Sequence, residues 1–425
     1  MKMLPFLAAL VCASPAFAAP QFSTLYNFPS QKSDDGDYPE APLTAGPDGT
    51  LYGITAFVGK YSGGVIFKLT PSTVPGAEWT YTELYKLKKT EGGIATGKMI
   101  FDQDTGALIG TTSYGGGIFR LAPPAVDGDP WTFALIRTFT GEGGDGFGPY
   151  GGMTQDPATG AIYGTTAYFP TFGGPTDWGH IYGFMPDAGH QNWTQILDYV
   201  FPAPPAGNDP HGDLLLKDGI LYGTTVMGGP VTGECSEGCG TIFSFDPATS
   251  TFKTLFTSSG TPQPFRFDTG TPVLADASHF IGTSLGGGGT NCKFDSCGTV
   301  YTMPLDGSAA PTVIAALQGK RAGGLDTGVI WNPAHTALYG TTVHGWPNVC
   351  HYHSGLGDNG KDGCGNVFML TPNGTKWKYT LIHAFDGKDD GAEPNQLVFG
   401  NDGALYGTTG SGGPNKTGTI FRIAP

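Results

Sequence analysis

The residues best suited to chemistry are histidines, arginines and acids that lie in short segments between repeated strand motifs. A histidine or tyrosine base beside an arginine that neutralises a uronate would suit a polysaccharide lyase, and the same acids would suit a glycoside hydrolase. The acidic surroundings count against a polyuronate unless cations are bound. The catalytic candidates on this hypothesis are His211, Arg266, Arg321, Asp145 and Asp390.

The segment 344–364 is the longest insertion between two strand motifs and the most individual one. His351 and His353, at i and i+2, would point the same way in an extended segment, so together with His344 they could form a three-imidazole site or supply a general base. The alternative is a surface loop that carries histidines and binds no metal. The ligand-binding candidates in this segment are His344, Trp346, His351, Tyr352 and His353.

A second long segment, 169–180, ends in Trp178 and His180 beside Asp177. Aromatic faces beside carboxylates are typical of a sugar-binding rim, so Trp178 and His180 are further ligand-binding candidates. The alternative is that these aromatic residues simply pack the loop.

Acids are concentrated in the segments before each repeat. Several carboxylates facing one opening would repel one another, which favours a bound cation such as Ca²⁺, raised pKa values or a cationic ligand. The alternative is solvated turn residues, and no segment has the spacing of an EF-hand. The metal candidates are Asp34, Asp35, Asp37, Asp389 and Asp390.

The scaffold that must position these residues is a sequence repeat. The motif LYGTT, or a close variant, begins at Leu51, Leu108, Ile162, Leu221, Phe280, Leu338 and Leu405, and each copy is followed after a Gly-rich gap by a strand similar to GTIF. A period of this length indicates a repeat array. Alternating residues and PDG-type or DPATG-type turns resolve each repeat into four short antiparallel strands, a to d. Strand parity places the long b–c loops and the d–a links on one face, where binding residues are expected.

The two ends of the chain predict a closed ring. The seventh repeat stops after its third strand, at GTIFRIAP, whereas residues 22–28, FSTLYNF, form a fourth strand with no repeat before it. We therefore predict an all-β, seven-bladed β-propeller of four-stranded antiparallel blades whose last blade is completed by the N-terminal strand. An open β-solenoid is the alternative.

Composition agrees with an all-β protein whose turns are rich in Gly and Pro. The chain has 70 Gly and 34 Pro among 425 residues, and 12% of its residues are aromatic. A net charge of −14 disfavours nucleic acid and anionic membranes as partners. We expect a monomer.

The first eighteen residues resemble a cleavable signal peptide, with Lys2, an apolar stretch and Ala16-Phe17-Ala18. We predict that residues 19–425 form one propeller domain that is secreted or periplasmic, without a membrane span or a C-terminal anchor. The remaining cysteines fall in pairs inside three b–c loops, which favours three local disulfides in an oxidising compartment over zinc sites. The pairs are Cys235 and Cys239, Cys292 and Cys297, and Cys350 and Cys364.

These motifs carry a family resemblance. LYGTT, a Gly-rich gap, GTIF and a TP or AP turn, followed by a segment such as FDGKDDGAEP (385–394), resemble the Gloeobacter/Verrucomicrobia (GloVer) tandem repeat of exported bacterial proteins often called choice-of-anchor proteins. The resemblance covers nearly the whole chain after the signal peptide. It implies export and a repeat architecture, and it implies no defined activity.

Two classes of function follow from the sequence. The first is a non-catalytic exported propeller that binds a glycan, a cell-envelope component or a protein through its long-loop face. The second is a secreted carbohydrate-active enzyme, a lyase or a hydrolase, with its site in the central funnel. We favour binding, because the repeated residues are all structural.

Overall fold

A computed structural model of the chain describes residues 20–30, 36–58, 61–74, 76–113, 116–141, 146–167, 178–233, 235–260, 264, 266–267, 270–287, 298–317, 323–345, 348–350, 362–374 and 376–424. It confirms the predicted seven-bladed propeller, with seven sheets of four antiparallel strands arranged in a ring. The described residues contain one 3-10 turn, Lys89–Glu91, and no α-helix. No helix among them is long and apolar enough to cross a bilayer.

Each blade runs from its innermost strand a to its outermost strand d. Blade 1 has Thr44–Ala45, Leu51–Ile54, Val65–Thr70 and Thr80–Lys86. Blade 2 has Ile100–Phe101, Leu108–Thr111, Gly117–Ala122 and Thr132–Thr138. Blade 3 has Thr154–Gln155, Ile162–Thr166, His180–Pro186 and Trp193–Val200. Blade 4 has Leu215–Lys217, Ile220–Thr225, Thr241–Asp246 and Thr251–Thr257.

The remaining blades follow the same order. Blade 5 has Val273–Leu274, His279–Ser284, Gly298–Pro304 and Thr312–Leu317. Blade 6 has Ile330–Trp331, Leu338–Thr342, Asn366–Asn373 and Lys376–Ala384. Blade 7 has Val398–Phe399, Leu405–Ser411, Thr419–Ala424 and Gln21–Asn27, and Ala392–Pro394 also pairs with its second strand. Two small hairpins lie in b–c loops, Phe57–Val58 with Tyr61–Ser62 and Val349–Cys350 with Asp362–Gly363.

The N-terminal strand closes the ring as predicted. Gln21–Asn27 pairs antiparallel with Thr419–Ala424, from Gln21 opposite Ala424 to Asn27 opposite Thr419. Phe28 follows directly, is fully buried, and packs edge-on against Phe67 of blade 1 with ring centroids 5.5 Å apart. One segment therefore completes blade 7 and packs against the first blade, so no blade edge is left open at the junction.

The glycine and threonines of the LYGTT motif have structural roles. A Cβ at Gly340 would lie 2.6 Å from the Phe368 ring, so the glycine makes room for an aromatic side chain of strand c. The first threonine bonds to the neighbouring blade, as when Thr111 Oγ1 donates to the Gly151 carbonyl at 3.1 Å. The second holds the start of strand c, as when Thr409 Oγ1 accepts from the Thr419 N–H at 2.9 Å.

Two of the three predicted disulfides are confirmed. Cys235 and Cys239 are joined with an S–S distance of 2.02 Å, and Cys350 and Cys364 with 2.06 Å. Their sulfurs are therefore not available as thiolate ligands for zinc. Cys292 and Cys297 lie outside the described residues. The two bridges indicate an oxidising compartment.

Candidate functional site

The d–a links, which we call the blade links, lie on the same face as the b–c loops. Asp37 in the link before blade 1 forms a backbone bridge with Phe57 in that blade's b–c loop. Asn208 in the link before blade 4 does the same with Met227. Neighbouring links also contact one another, as when Asn395 Nδ2 donates to the Pro39 carbonyl at 2.6 Å.

One position of the blade link repeats the same backbone scheme around the ring. In the links before blades 1, 4 and 5 the N–H at this position donates to the b–c loop of the preceding blade, and the carbonyl accepts from the loop of its own blade. Asp209 is an example, with its N–H 3.3 Å from the Trp178 carbonyl and its carbonyl 3.1 Å from the Val226 N–H. Gly148 and Gly324 occupy the position with φ of 63° and 69°. These bonds use backbone atoms only, so they do not depend on which side chain occupies the position.

Four blades keep a side chain at this position although its φ lies in the left-handed region. The residues, with φ of 54°, 62°, 54° and 59°, are Tyr38, Asp209, Arg266 and Glu393. A non-glycine residue held there costs about 1 kcal/mol or more, and such strain is concentrated at functional sites. Four hydroxyl-bearing or charged side chains are thus held in the links before blades 1, 4, 5 and 7.

Two residues further along the described links lies a second set of polar side chains. His211 Nε2 lies 3.1 Å from Asp209 Oδ1, and its ring centroid lies 5.0 Å from that of Tyr150. Asp209 is only 5% exposed, whereas His211 and Tyr150 are partly exposed. A buried carboxylate that holds an accessible imidazole in place beside a phenol is an arrangement able to bind hydroxyl groups or move a proton.

A cation and an acid follow two residues further along the links before blades 2 and 4: they are Lys98 and Asp213. Asp213 Oδ1 accepts the Gly152 N–H at 2.5 Å, and Oδ2 accepts the Thr271 hydroxyl at 3.0 Å. Burial raises the pKa of Asp213, although these bonds and the charge of Lys98 act in the opposite direction. Burial also lowers the pKa of Lys98, opposed by the attraction of Asp213. Both side chains keep part of their surface accessible, so they can meet a ligand from the channel.

We call the opening among the blade links the funnel. Its side chains come from all seven links and have mixed charge. Glu40 is an example of their interaction, because desolvation by the surrounding link residues and repulsion from Glu393 both raise its pKa, although Glu40 remains exposed to solvent. We define the funnel residues as the described polar side chains at these link positions: Tyr38, Glu40, Thr96, Lys98, Tyr150, Asp209, His211, Asp213, Arg266, Asp326, Glu393 and Asn395.

Of the catalytic candidates, His211 and Arg266 lie in the funnel and Asp390 does not. Asp390 Oδ2 lies 2.8 Å from His383 Nε2, and the His383 ring stacks on Phe22 with centroids 3.8 Å apart. This pair therefore belongs to the contact between the outer strands of blades 6 and 7. Asp145 and Arg321 lie outside the described residues.

The ligand-binding candidates are separated. His180 is 1% exposed in strand c of blade 3, and its Nδ1 lies 2.7 Å from Asp198 Oδ1. Trp178 is half-buried beside the blade 4 link. His344 is also half-buried, and its backbone N–H donates to the Gly323 carbonyl at 2.7 Å. The other four candidates in segment 344–364 lie outside the described residues: Trp346, His351, Tyr352 and His353.

The metal candidates also differ in setting. Asp37 is 2% exposed, and neither of its carboxylate oxygens has a hydrogen-bond partner among the described residues. Asp389 is exposed in a turn, where its N–H donates to Asp386 Oδ1 at 3.2 Å. Asp34 and Asp35 lie outside the described residues. Calcium stays a prediction.

One cluster with metal-binding residue types was missed by the sequence reasoning. Asp102, Asp104 and His190 come together on the opposite, short-turn face, with His190 Nδ1 2.8 Å from Asp102 Oδ2 and Nε2 3.8 Å from Asp104 Oδ2. The sequence DQDTG predicts a tight turn and gives no indication of a metal site. Only the contact between blades 2 and 3 brings His190 to it.

Comparison with protein families supports the resemblance drawn from the motifs. Residues 14–168 match the model described as the Gloeobacter/Verrucomicrobia repeat. No curated protein matches the sequence.

Solved structures share the fold at low identity. A GH74 enzyme of Niastella koreensis is 16% identical with a TM-score of 0.50, and the match covers 89% of this chain and 52% of that one, so this chain spans about half its length. An oligogalacturonate lyase in complex with manganese is 10% identical with a TM-score of 0.51 over 96% and 98% of the two chains. A protein from Bacteroides uniformis described as a putative 6-phosphogluconolactonase is 11% identical with a TM-score of 0.50 over 81% and 84%. These likenesses concern the fold alone.

Proposed function

We propose that this chain is an exported binding propeller whose funnel holds a glycan. The observation that carries the proposal is that polar side chains recur at a link position with left-handed backbone conformation. Glycine adopts this conformation without strain, as Gly148 and Gly324 do at the same position, so the backbone alone does not require a side chain there. The links carry neutral, acidic and basic side chains together, which suits the many hydroxyl groups of a neutral sugar better than a single strong charge. Residues 1–18 would direct export, and the chain would act as a monomer.

A carbohydrate-active enzyme is the second candidate, favoured by the groups around His211. The imidazole is held by Asp209, a phenol lies beside it, and Asp213 and Lys98 have pKa values shifted towards each other. Such mutually shifted groups are candidates for proton transfer. Two structural neighbours, the GH74 enzyme and the oligogalacturonate lyase, carry names of carbohydrate-active enzymes.

A glycan array combined with a depolymerisation screen, with and without EDTA, separates the two functions. We expect the wild-type protein to retain a glycan without product release, and His211→Ala to lose at least ten-fold in affinity. The matched control is His279→Ala, because His279 lies on the short-turn face beside Asp276 and should leave binding unchanged. Product release that is lost in His211→Ala would establish the enzyme instead. If His211→Ala and His279→Ala bound the glycan equally well, the funnel would not be the binding site.

Glu393→Gly tests whether the strained side chains are kept for function. Glycine occupies the equivalent position in blades 3 and 6, and the Glu393 N–H bond to the Cys364 carbonyl is a backbone bond that the variant retains. Relief of the left-handed strain should leave stability unchanged or raise it by up to about 1 kcal/mol, while glycan affinity falls. Urea unfolding and the same array measure the two effects. A less stable variant with full affinity would assign Glu393 a purely structural role.

A further inference from the structure

A groove outside the funnel lies between blades 2 and 3 and has a volume of about 590 Å³. Strands c and d of blade 2 form one wall, and the c–d turn and the start of strand d of blade 3 form the other. No acid lines it. Its polar lining residues are Thr105, Arg120, Thr132, Gln191, Asn192 and Trp193.

Arg120 is the unusual member of this lining. It is 7% exposed, and its Nε is buried without an acceptor. Among the residues that the structure describes, its guanidinium donates no hydrogen bond and forms no ion pair. Burying an arginine without a counter-charge is costly, so such groups are normally paired. Arg120 is therefore a cation that the protein itself leaves unsatisfied.

Blade 7 contains the same residue position with its counter-charge present. Arg422 lies opposite Tyr406 in strand b, as Arg120 lies opposite Ile109. Arg422 Nη2 donates to Asp402 Oδ2 at 2.7 Å, and Nε donates to the Tyr406 hydroxyl at 3.0 Å. Asp402 stands three residues before the LYGTT motif, and Thr105 holds that place in blade 2. Blade 2 thus has the arginine without either partner.

The rest of the groove adds donors. Trp193 Nε1 is buried without an acceptor. The nearby acids are already engaged or point elsewhere: Asp187 accepts Asn192 Nδ2 at 2.7 Å, and Asp102 holds His190 at 2.8 Å. Asp104 is exposed to solvent, with 81% of its side chain accessible. The groove is therefore a local donor site on a protein whose net charge is −14.

We propose that this groove binds a ligand bearing an oxyanion, with Arg120 as the group that receives it. The planar guanidinium matches a carboxylate, sulfate or phosphate through paired N–H donors. The exposed Thr132 hydroxyl can bond to hydroxyl groups beside that anion. Thr105 already donates to Asp102 and the Asn192 amide to Asp187, so these two groups would bond to the ligand through their remaining acceptor lone pairs or second amide hydrogen. An acidic sugar is the simplest ligand with both features.

Calorimetric titration with defined probes tests the proposal. The probes are D-glucuronate, inorganic sulfate and inorganic phosphate, with D-glucose as the neutral control. We expect at least one anion to bind, and comparison of the three separates a carboxylate ligand from a sulfate or phosphate. Arg120→Met should weaken that binding at least ten-fold. Thr105→Asp, which installs the counter-charge found in blade 7, should weaken it as well.

The reciprocal variant is Asp402→Thr, which frees Arg422 in the groove of about 990 Å³ beside blade 7. It should add a second anion site while leaving the first unchanged. Thermal unfolding checks that each variant folds, and Arg120→Met should melt no lower than wild type because it removes an unpaired buried charge. No anion binding above that of D-glucose, or equal binding by wild type, Arg120→Met and Thr105→Asp, would overturn the proposal.

Discussion

Asp213→Asn should destabilise the protein by about 3 kcal/mol at pH 7, because removing one member of a partly buried charge pair leaves the other without its counter-charge. Lys98 already has a lowered pKa through burial, and Asp213 is the group that opposes this. Without the carboxylate the lysine would lose the attraction of Asp213, and the Gly152 N–H would lose its carboxylate acceptor. Urea unfolding at pH 7 measures the difference.

The charge on Lys98 gives this prediction a pH signature. A lysine whose folded pKa lies below its unfolded value favours the folded state more as pH rises, because the folded protein gives up its proton first. The penalty of Asp213→Asn should therefore shrink towards high pH. The double variant Lys98→Met with Asp213→Asn should regain most of the lost stability. A single variant as stable as wild type at pH 7, or a penalty that grows with pH, would contradict the buried pair.

Asp37→Asn should stabilise the protein by about 3 kcal/mol at pH 8 and change little at pH 4. Burial raises the pKa of Asp37 from 3.8 to about 6, and a difference of that size corresponds to about 3 kcal/mol. Because the folded pKa is the higher one, stability is greatest below pH 3.8 and falls as pH rises through about 6. Asparagine does not ionise between pH 4 and pH 8, so the Asp37→Asn variant does not lose stability as the pH rises.

Blade 4 supplies the precedent for this substitution. Asn208 occupies the equivalent link position, is 3% exposed, and makes the same backbone bridge. Asn208→Asp is the matched reverse variant and should lose stability at pH 8. The measurement is urea unfolding at both pH values, with EDTA and with Ca²⁺. A destabilised Asp37→Asn in Ca²⁺ would mean that the carboxylate binds the ion, as the sequence hypothesis proposed.

The repeat made the fold predictable, because the strand motifs, the turn residues and the two chain ends all indicate the same seven-bladed ring. The Gly in LYGTT, the paired threonines and the turn residues recur in the repeats, and the FSTLYNF strand matches the one missing at the C-terminus. The funnel was predictable in part. Strand parity brought His211 and Arg266 to one opening, but it also grouped Asp390 with them, which the contact with His383 and Phe22 holds elsewhere.

What the sequence reasoning missed depends on contacts between blades. Lys98 lies in the link before blade 2 and Asp213 in the link before blade 4, so only the arrangement of successive blades in a ring brings their charges close enough to interact. Arg120 carried a signal that was available, because aligning the repeats places it with Arg422 and places Thr105 where Asp402 stands. Only an alignment of the repeats shows that blade 2 keeps the arginine of blade 7 but lacks the aspartate that pairs with it.

The most direct test of the glycan-binding funnel is a crystal structure of the wild-type protein with the tightest ligand from the array. We predict sugar density at the mouth of the central channel, with hydroxyl groups in hydrogen-bond contact with His211 and Asp209. Density confined to the short-turn face or the outer grooves, with an empty funnel, would contradict the account.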